Sequence, residues 1–163
     1  MDANDLNVLM HPLHSEHFLL AAQMAASTSG RSVNDLLKIY ERDSARAERA
    51  AQVGAFVNGE LIDCARVVRV EFEVPQVNQA PSGWYLLGVN VQSASRRRGI
   101  ATQLTNWRID WLANRAETLF YVAVPTNVAS IRLHEKFDFI KAKENVTMPP
   151  DLAGLTLFSR GIA

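Results

Sequence analysis

The segment from Val89 to Ala101 constrains the fold most, because a strongly apolar strand passes through a short polar turn directly into an amphipathic helix. The strand ends near Val91, and the helix begins near Gly99, directly after the three arginines at 96–98. The first amides of a helix have no internal partners, and the helix dipole adds positive potential there. Gly99 lets a bulky anion approach the backbone. The segment therefore predicts a phosphate or pyrophosphate site, with a basic loop that merely caps a helix as the alternative.

Two helices are predicted in the first third of the chain. The first presents four apolar residues at helical spacing, Phe18, Leu19, Ala22 and Ala26. Ser27–Gly30 indicates a break, after which Ser32 is the expected N-cap of the second helix, with Asp35 completing an approximate capping box. The second helix has an apolar face made of Val33, Leu36, Leu37 and Tyr40.

The remaining pattern predicts strands on both sides of two further helices. Asn58-Gly59 is a two-residue hairpin signal, because both residue types adopt positive φ readily. The predicted strands are Val53–Val57, Leu61–Val70, Trp84–Val91, Thr118–Val124, Phe139–Lys143 and Leu155–Ser159. The predicted later helices are Ile100–Arg115 and a helix capped by Thr126 or Asn127 that runs to about Lys136, and Pro75–Gly83 is predicted as a loop. One strand-helix-strand crossover among hairpins indicates an α/β or α+β domain, with helices on the sheet faces and residues 1–163 as a single domain.

Composition excludes several functional classes. The chain has 17 basic and 17 acidic residues, so no global field favours nucleic acid or an anionic membrane. No apolar run approaches the roughly 20 residues that span a membrane, and the N-terminus lacks the pattern of a signal peptide. The single cysteine, Cys64, cannot form an internal disulfide and is interpreted as a buried small residue, not a nucleophile. We expect a cytoplasmic protein.

Two motifs together resemble the GNAT superfamily of N-acetyltransferases. Arg96-x-x-Gly99-x-Ala101 is similar to that family's Q/R-x-x-G-x-G/A signature. Asn127-Val-Ala-Ser130-Ile-Arg-Leu133-His134-Glu-Lys136-Phe-Asp-Phe139 is similar to its second motif, N-x-x-A/S-x-x-L-Y-x-K-x-G-F. The resemblance spans about Trp84–Phe139 and implies an acyl-CoA N-acyltransferase fold, with a mixed, mostly antiparallel sheet of about six to seven strands.

The resemblance implies acetyl-CoA as co-substrate and an amine as acceptor. The amides from Arg97 to Thr102 would hold the pyrophosphate, those near Val89 and Val91 would bind the thioester carbonyl, and the pantetheine arm would lie where two parallel strands splay apart. The residues assigned to the coenzyme are Val89, Val91, Arg96, Arg97, Arg98, Gly99, Ile100, Ala101, Thr102, Asn127 and Ser130. Helix capping is the structural alternative for the last two.

The sequence departs from the family pattern at two positions. His134 stands where the family commonly has the tyrosine that protonates the departing thiolate. Histidine is a competent acid near neutral pH, with a helix-surface histidine as the alternative. Asp138 replaces the usual glycine before Phe139, and aspartate tolerates left-handed backbone, so the turn is expected to persist.

The general base and the acceptor are less constrained by the sequence. Transfer to an ammonium requires a proton acceptor, for which Glu71 and Glu73 are candidates, with solvated loop carboxylates as the alternative. Asp63 is a weaker candidate, a water chain is equally compatible, and no metal is predicted. The acceptor pocket would be built by Ser27–Asn34 and by Glu144–Gly154, the predicted loop between the last two strands. Both segments have mixed polar composition, which does not identify the acceptor.

Three hypotheses follow. The first is an acetyl-CoA-dependent N-acetyltransferase acting on a primary amine of a small molecule or peptide. The second is a non-catalytic acyl-CoA-binding sensor or regulatory module of the same fold. The third, a nucleic-acid binder using the arginines at 96–98, is disfavoured because the chain has no net charge and no basic stripe along a recognition helix. A homodimer is left open.

Overall fold

The computed structural model of the chain describes residues 7–74, 76–91, 96–149 and 152–162. These ranges hold seven strands and four α-helices, with a 3-10 turn at Ser15–His17. The elements are, in chain order, β1 Leu9–Pro12, α1 Phe18–Ser29, α2 Val33–Ser44, β2 Ala50–Val57, β3 Glu60–Val70, β4 Gly83–Val91, α3 Ile100–Leu112, β5 Thr118–Ala123, α4 Val128–Glu135, β6 Ile140–Met148 and β7 Leu152–Gly161. No helix within the described residues has both the length and the apolar composition needed to cross a membrane.

The seven strands form one sheet in the order β1-β2-β3-β4-β5-β7-β6. β4 and β5 pair in parallel, whereas the pairs β1–β2, β2–β3, β5–β7 and β6–β7 are antiparallel. This confirms the predicted mixed, mostly antiparallel sheet with flanking helices. The chain divides into two compact units, Met1–Val68 with Leu87–Trp111 and Arg69–Leu86 with Leu112–Ala163. A single domain over residues 1–163 therefore stays a prediction.

In the first unit, helices cover both faces of the hairpin formed by β2 and β3. On one face, Phe56, Leu61 and Cys64 pack against buried residues of α1 and α2. On the other face, the small residues Val53, Ala55 and Ala65 pack against the start of α3. Alternate residues of a strand point to opposite faces, so this hairpin is apolar on both sides and is buried between helix layers.

Several local predictions are confirmed by backbone geometry. Asn58 and Gly59 have φ values of 51° and 81°, as a type I′ hairpin turn requires. The Ser32 side chain accepts a hydrogen bond from the Asp35 amide and caps α2. The predicted break at Ser27–Gly30 comes later than expected, because α1 continues to Ser29 and Gly30, with a φ of 70°, is its left-handed C-cap.

The first third also contains a strand that the sequence does not predict. β1 precedes the two predicted helices and pairs with β2, Leu9 lying opposite Phe56. A four-residue strand shows no readable alternation, and its partner lies more than forty residues away. Of the four apolar residues at helical spacing in α1, Leu19 is 53% exposed, because the buried stripe follows Phe18, Ala21 and Ala22.

The two closing strands in the second unit are longer than predicted. β6 extends to Met148 and β7 begins at Leu152, so most of the expected loop Glu144–Gly154 is strand. The β6–β7 register shifts at several points between Lys141 and Met148. Such bulges interrupt the two-residue alternation from which a strand is recognised.

The predicted loop before β4 is attached to β6. Gln79 forms an isolated bridge with Thr147, and the Ala80 amide donates to the Thr147 carbonyl at 2.8 Å. The Thr147 amide in turn donates to the Asn78 carbonyl at 2.8 Å. Ala80 is buried, so this part of the loop packs as a short extension of the second unit.

A fully buried arginine connects three elements of the first unit. Arg108 on α3 donates from Nη1 to the carbonyl oxygens of Arg66 on β3, at 3.1 Å, and Leu87 on β4, at 3.3 Å. Its Nη2 donates to Oγ1 of Thr105 at 3.0 Å, and that hydroxyl donates to the Ala101 carbonyl at 2.8 Å. The guanidinium therefore joins the first turn of α3 to two neighbouring strands.

We expect Arg108→Met to lower the free energy of unfolding by about 2 kcal/mol or more, because two buried carbonyls lose a donor. Methionine keeps the length and packing of the side chain. Urea denaturation measures the change, with the exposed Arg46→Met as the matched control. Equal stability of the two variants would contradict a structural role for the guanidinium.

Candidate functional site

The arginines at 96–98 lie in an exposed turn that leads into α3 at Gly99. Arg97 and Gly99 have φ values of 64° and 73°, both in the left-handed region. Residues 96–99 are exposed, whereas Ile100 is buried and anchors the helix start in the core. The preceding residues 92–95 lie outside the described part of the chain. The positive φ of Gly99 supports its predicted role, since glycine adopts this conformation with the least strain.

The first amides of α3 are available to an anion. The Gln103 amide donates to the Gly99 carbonyl at 3.0 Å, which closes the first helical turn. The amides of residues 100–102 consequently have no acceptor within the helix. Among the described residues, no atom lies within 4 Å of a Cβ added to Gly99, so they leave the space beside the glycine open. Amides without a helical acceptor and the positive end of the helix dipole are what a phosphate site requires, and the site itself stays a prediction.

β4 changes direction shortly before it reaches this turn. Gly88 has a φ of 60°, which interrupts the extended backbone directly after Leu87, whose carbonyl accepts from Arg108. Val89 packs beside the cluster at the start of α3. Among the described residues, the β4–β5 register is confined to the pairs Trp84↔Leu119 and Tyr85↔Phe120. Val89 and Val91 lie beyond it in the chain, and their binding role stays a prediction.

In the second unit, the start of α4 is capped by a residue of the predicted site. Asn127 is the N-cap of α4, and its side chain accepts from the Ser130 amide at 3.3 Å. The Ser130 hydroxyl is hydrogen-bonded to the Tyr121 hydroxyl of β5. Asn127 therefore has the capping role given as the structural alternative, and within the described residues its side-chain nitrogen Nδ2 makes no hydrogen bond.

His134 is buried inside the second unit, so the alternative of a helix-surface histidine is wrong. It is 2% exposed and stacks on Tyr121 with a centroid distance of 3.6 Å and an interplanar angle of 5°. Phe139 packs edge-on against it at 5.5 Å. Nδ1 lies 2.8 Å from the Ser130 carbonyl, which can only accept, so Nδ1 carries the proton of the neutral ring.

Asp138 maintains the turn that follows α4. Its φ is 63°, and its amide donates to the Glu135 carbonyl at 3.1 Å. The prediction that aspartate sustains a left-handed turn at this position is confirmed. Phe139 is thereby directed into the core, where it contacts His134 and Tyr121.

Sequence reasoning missed two polar residues next to the predicted site. Tyr121 lies in an apolar strand, two residues from Leu119 and two from Ala123, so the three side chains point to the same face. This spacing indicates that the Tyr121 ring is buried, and the hydroxyl of a buried tyrosine usually has a hydrogen-bond partner. Arg108 lies four residues after Leu104 on the apolar side of α3. A charged residue inside an apolar stripe was the signal there.

The candidate bases differ in accessibility. Glu71 is 43% exposed and pairs with Arg69, the Nε–Oε1 distance being 3.1 Å, and Glu73 is exposed in the same loop of the second unit. Asp63 lies in β3 of the first unit and is completely buried. Glu71 and Glu73 are thus reachable by water, which fits either a base or a solvated loop carboxylate.

Cys64 is unsuited to nucleophilic chemistry. It is completely buried in β3, and burial raises the pKa of its thiol to about 11. The Tyr40 hydroxyl lies 3.4 Å from Sγ. Because the thiolate is the reactive form, Cys64 is inert near neutral pH, as the sequence interpretation predicted.

Solved structures with the same fold include several acetyltransferases. An N-acetyltransferase from Staphylococcus aureus Mu50 is 20% identical, with a TM-score of 0.72 over 96% of this chain and 99% of that chain. The ribosomal-protein-S18-alanine N-acetyltransferase from Escherichia coli is 19% identical, with a TM-score of 0.72 over 96% and 94%. NAA60 from Arabidopsis thaliana, in complex with acetyl-CoA, is 16% identical, with a TM-score of 0.72 over 96% and 99%. A search of curated protein sequences finds no match.

A family model establishes the relationship that these structures indicate at the level of fold. The model of the acetyltransferase (GNAT) family matches residues 17–139. This range includes both the turn before α3 and the whole of α4. The chain therefore belongs to the GNAT family of acetyltransferases.

Proposed function

We propose that this chain is an N-acetyltransferase that transfers the acetyl group of acetyl-CoA to a primary amine of a small molecule or peptide. The observation that carries the proposal is the start of α3, where the amides of residues 100–102 have no helical acceptor and the described residues leave the space beside Gly99 open. Membership of the GNAT family and the acetyl-CoA complex of a protein with the same fold support this choice.

The pyrophosphate of acetyl-CoA is the group that best fits this helix start. Backbone amides of residues 97–102 donate to its oxygens, and the helix dipole favours its negative charge. The exposed arginines at 96–98 add charge-assisted contacts to phosphate. Gly99 has no side chain between its backbone and the anion, so the two can come close together.

The acyl transfer itself requires a stabilised oxyanion, a proton acceptor and a proton donor. The amine nitrogen attacks the thioester carbonyl, and amides near Val89 and Val91 are proposed to stabilise the negative oxygen. Glu71 or Glu73, directly or through water, accepts the proton that the amine loses. As the C–S bond breaks, the imidazolium form of His134, protonated on both nitrogens, donates its Nε2 proton to the leaving thiolate and becomes the neutral ring with its proton on Nδ1.

The support for His134 as the acid is its fixed orientation, and the role requires the coenzyme sulfur to reach the buried Nε2. The stack on Tyr121 and the hydrogen bond to the Ser130 carbonyl hold the imidazole in one orientation. An acid held by its neighbours is already oriented when the thiolate forms, which lowers the entropic cost of proton transfer.

We expect Gly99→Glu to weaken acetyl-CoA binding by at least about 30-fold, or ~2 kcal/mol. The carboxylate and its chain would enter the open space in front of the amides and repel the pyrophosphate. Calorimetric titration with acetyl-CoA measures the effect.

Gly30→Glu is the matched control for this experiment. Gly30 ends α1 with a φ of 70°, close to the 73° of Gly99, and a Cβ there also meets no atom within 4 Å. The two variants therefore carry the same backbone strain, and we expect Gly30→Glu to bind acetyl-CoA like the parent. Equal losses in both variants would refute the phosphate assignment.

We expect His134→Phe to lower turnover by about 100-fold, the order of one general acid, with acetyl-CoA affinity changed much less. Phenylalanine retains a ring that can stack on Tyr121 but has no proton to donate. The rate is measured by coenzyme-coupled thiol release over a panel of amines, amino acids, peptides and aminoglycosides.

Tyr121→Phe separates the alternatives for the acid. It removes only the hydroxyl bonded to Ser130, and we expect it to retain most of the activity. Loss of turnover in Tyr121→Phe with retention in His134→Phe would transfer the acid role to Tyr121. Tight acetyl-CoA binding by the parent without turnover over the whole panel would instead identify a non-catalytic coenzyme-binding module.

A further inference from the structure

A cavity of about 670 Å³ lies in the second unit, between α4, β6 and β7. Its size is within the range of small-molecule sites, roughly 300–1,000 Å³. Ile131 of α4 and the rings of Phe139 and Phe158 contribute its apolar lining. None of these residues belongs to the set assigned to acetyl-CoA.

The aromatic walls of the cavity are held by packing. Phe158 contacts Tyr121 with a centroid distance of 5.7 Å, and Phe139 contacts both His134, at 5.5 Å, and Tyr121, at 6.4 Å. Phe139 and Phe158 are 3% and 6% exposed. An apolar surface fixed in this way is formed before any ligand arrives, which reduces the ordering cost of binding.

The polar lining of the cavity carries negative charge. Glu135 and Asp138 face it near the C-terminal end of α4, and the helix dipole adds negative potential at that end. Within the described residues, neither carboxylate has an ion-pair partner. Lys141 is already paired with Glu144, its Nζ lying 2.6 Å from Oε1, and this hydrogen bond lowers the pKa of Glu144. The uncompensated charge is therefore that of Glu135 and Asp138.

A mostly buried threonine also lines the cavity. Thr156 of β7 is 6% exposed and lies two residues from Phe158, so the two side chains share one face of the strand. The described part of the chain supplies no hydrogen bond to its side chain. Its hydroxyl oxygen is not one of the fully buried unpartnered atoms of the described residues, so water or a ligand can reach it from the cavity.

We propose that this cavity is a second ligand site that takes a small organic cation, an ammonium group carried on an apolar aryl or alkyl body. The ammonium is bound by Glu135 and Asp138, and the body packs against Ile131, Phe139 and Phe158. Thr156 accepts or donates a hydrogen bond at the buried end. The site lies wholly within the second unit and does not depend on the proposed acetyl transfer.

Three probes of one shape and different charge test the site. We expect 4-phenylbutylammonium to bind the full chain at least about tenfold more tightly than 4-phenylbutanol, because only the cation gains from two carboxylates. We expect 4-phenylbutyrate to show no saturable binding. Calorimetric titration gives the three affinities, and equal binding of the amine and the alcohol would overturn the proposal.

The variant Glu135→Gln with Asp138→Asn removes both charges at nearly constant shape. Asparagine tolerates the φ of 63° at position 138, so the turn is preserved. We expect this variant to bind the amine and the alcohol equally, whereas Glu117→Gln, an exposed carboxylate of the same unit, retains the preference. A preference that persists in the double variant would also overturn the proposal.

Two further measurements keep the result interpretable. If the double variant melts well below the parent, the single Glu135→Gln, at an exposed helix position, must lower the preference for the amine at least threefold, and an unchanged preference overturns the proposal. Sedimentation of the parent and the double variant tests a different occupant. A parent dimer that the double variant converts to monomer would assign the cavity to a second copy of the chain and contradict the small-cation site.

Discussion

The buried guanidinium of Arg108 is the contact on which the organisation of the first unit depends. It bonds the carbonyls of Arg66 and Leu87 on two strands, and through Thr105 it reaches the carbonyl of Ala101 in the first turn of α3. The position of the helix start is therefore fixed relative to the strand that leads into it. A site that binds through backbone amides needs this rigidity, because a displaced helix start would present its amides at the wrong place.

The second unit fixes its chemistry by aromatic packing. His134 lies between the ring of Tyr121 and the edge of Phe139, and its Nδ1 is bonded to a backbone carbonyl. Tyr121 is itself bonded to Ser130. These contacts restrict the rotation of the His134 ring, mostly through packing against aromatic rings. The imidazole therefore requires no carboxylate partner to orient it.

Features fixed by nearby residues could be predicted from the sequence. The Asn58-Gly59 turn, the Ser32 and Asn127 caps and the helix start at Ile100 each depend on a few adjacent side chains. Features fixed by distant partners could not be predicted. β1 forms because it pairs with the edge of β2, which is distant in sequence. The bulges of β6 interrupt the alternation by which a strand is recognised in the sequence. The burial of His134 depends on how the chain packs around α4.

Asp138 has a consequence for the evolution of this protein. Its left-handed backbone accepts glycine, asparagine or aspartate with little strain, and the family motif that it resembles usually has glycine there. The fold therefore leaves the charge at this position free to vary while the turn is retained. A relative with glycine would keep the same architecture but lose one of the two unpaired carboxylates beside the cavity, so selection can alter ligand preference there without disturbing the stack around His134.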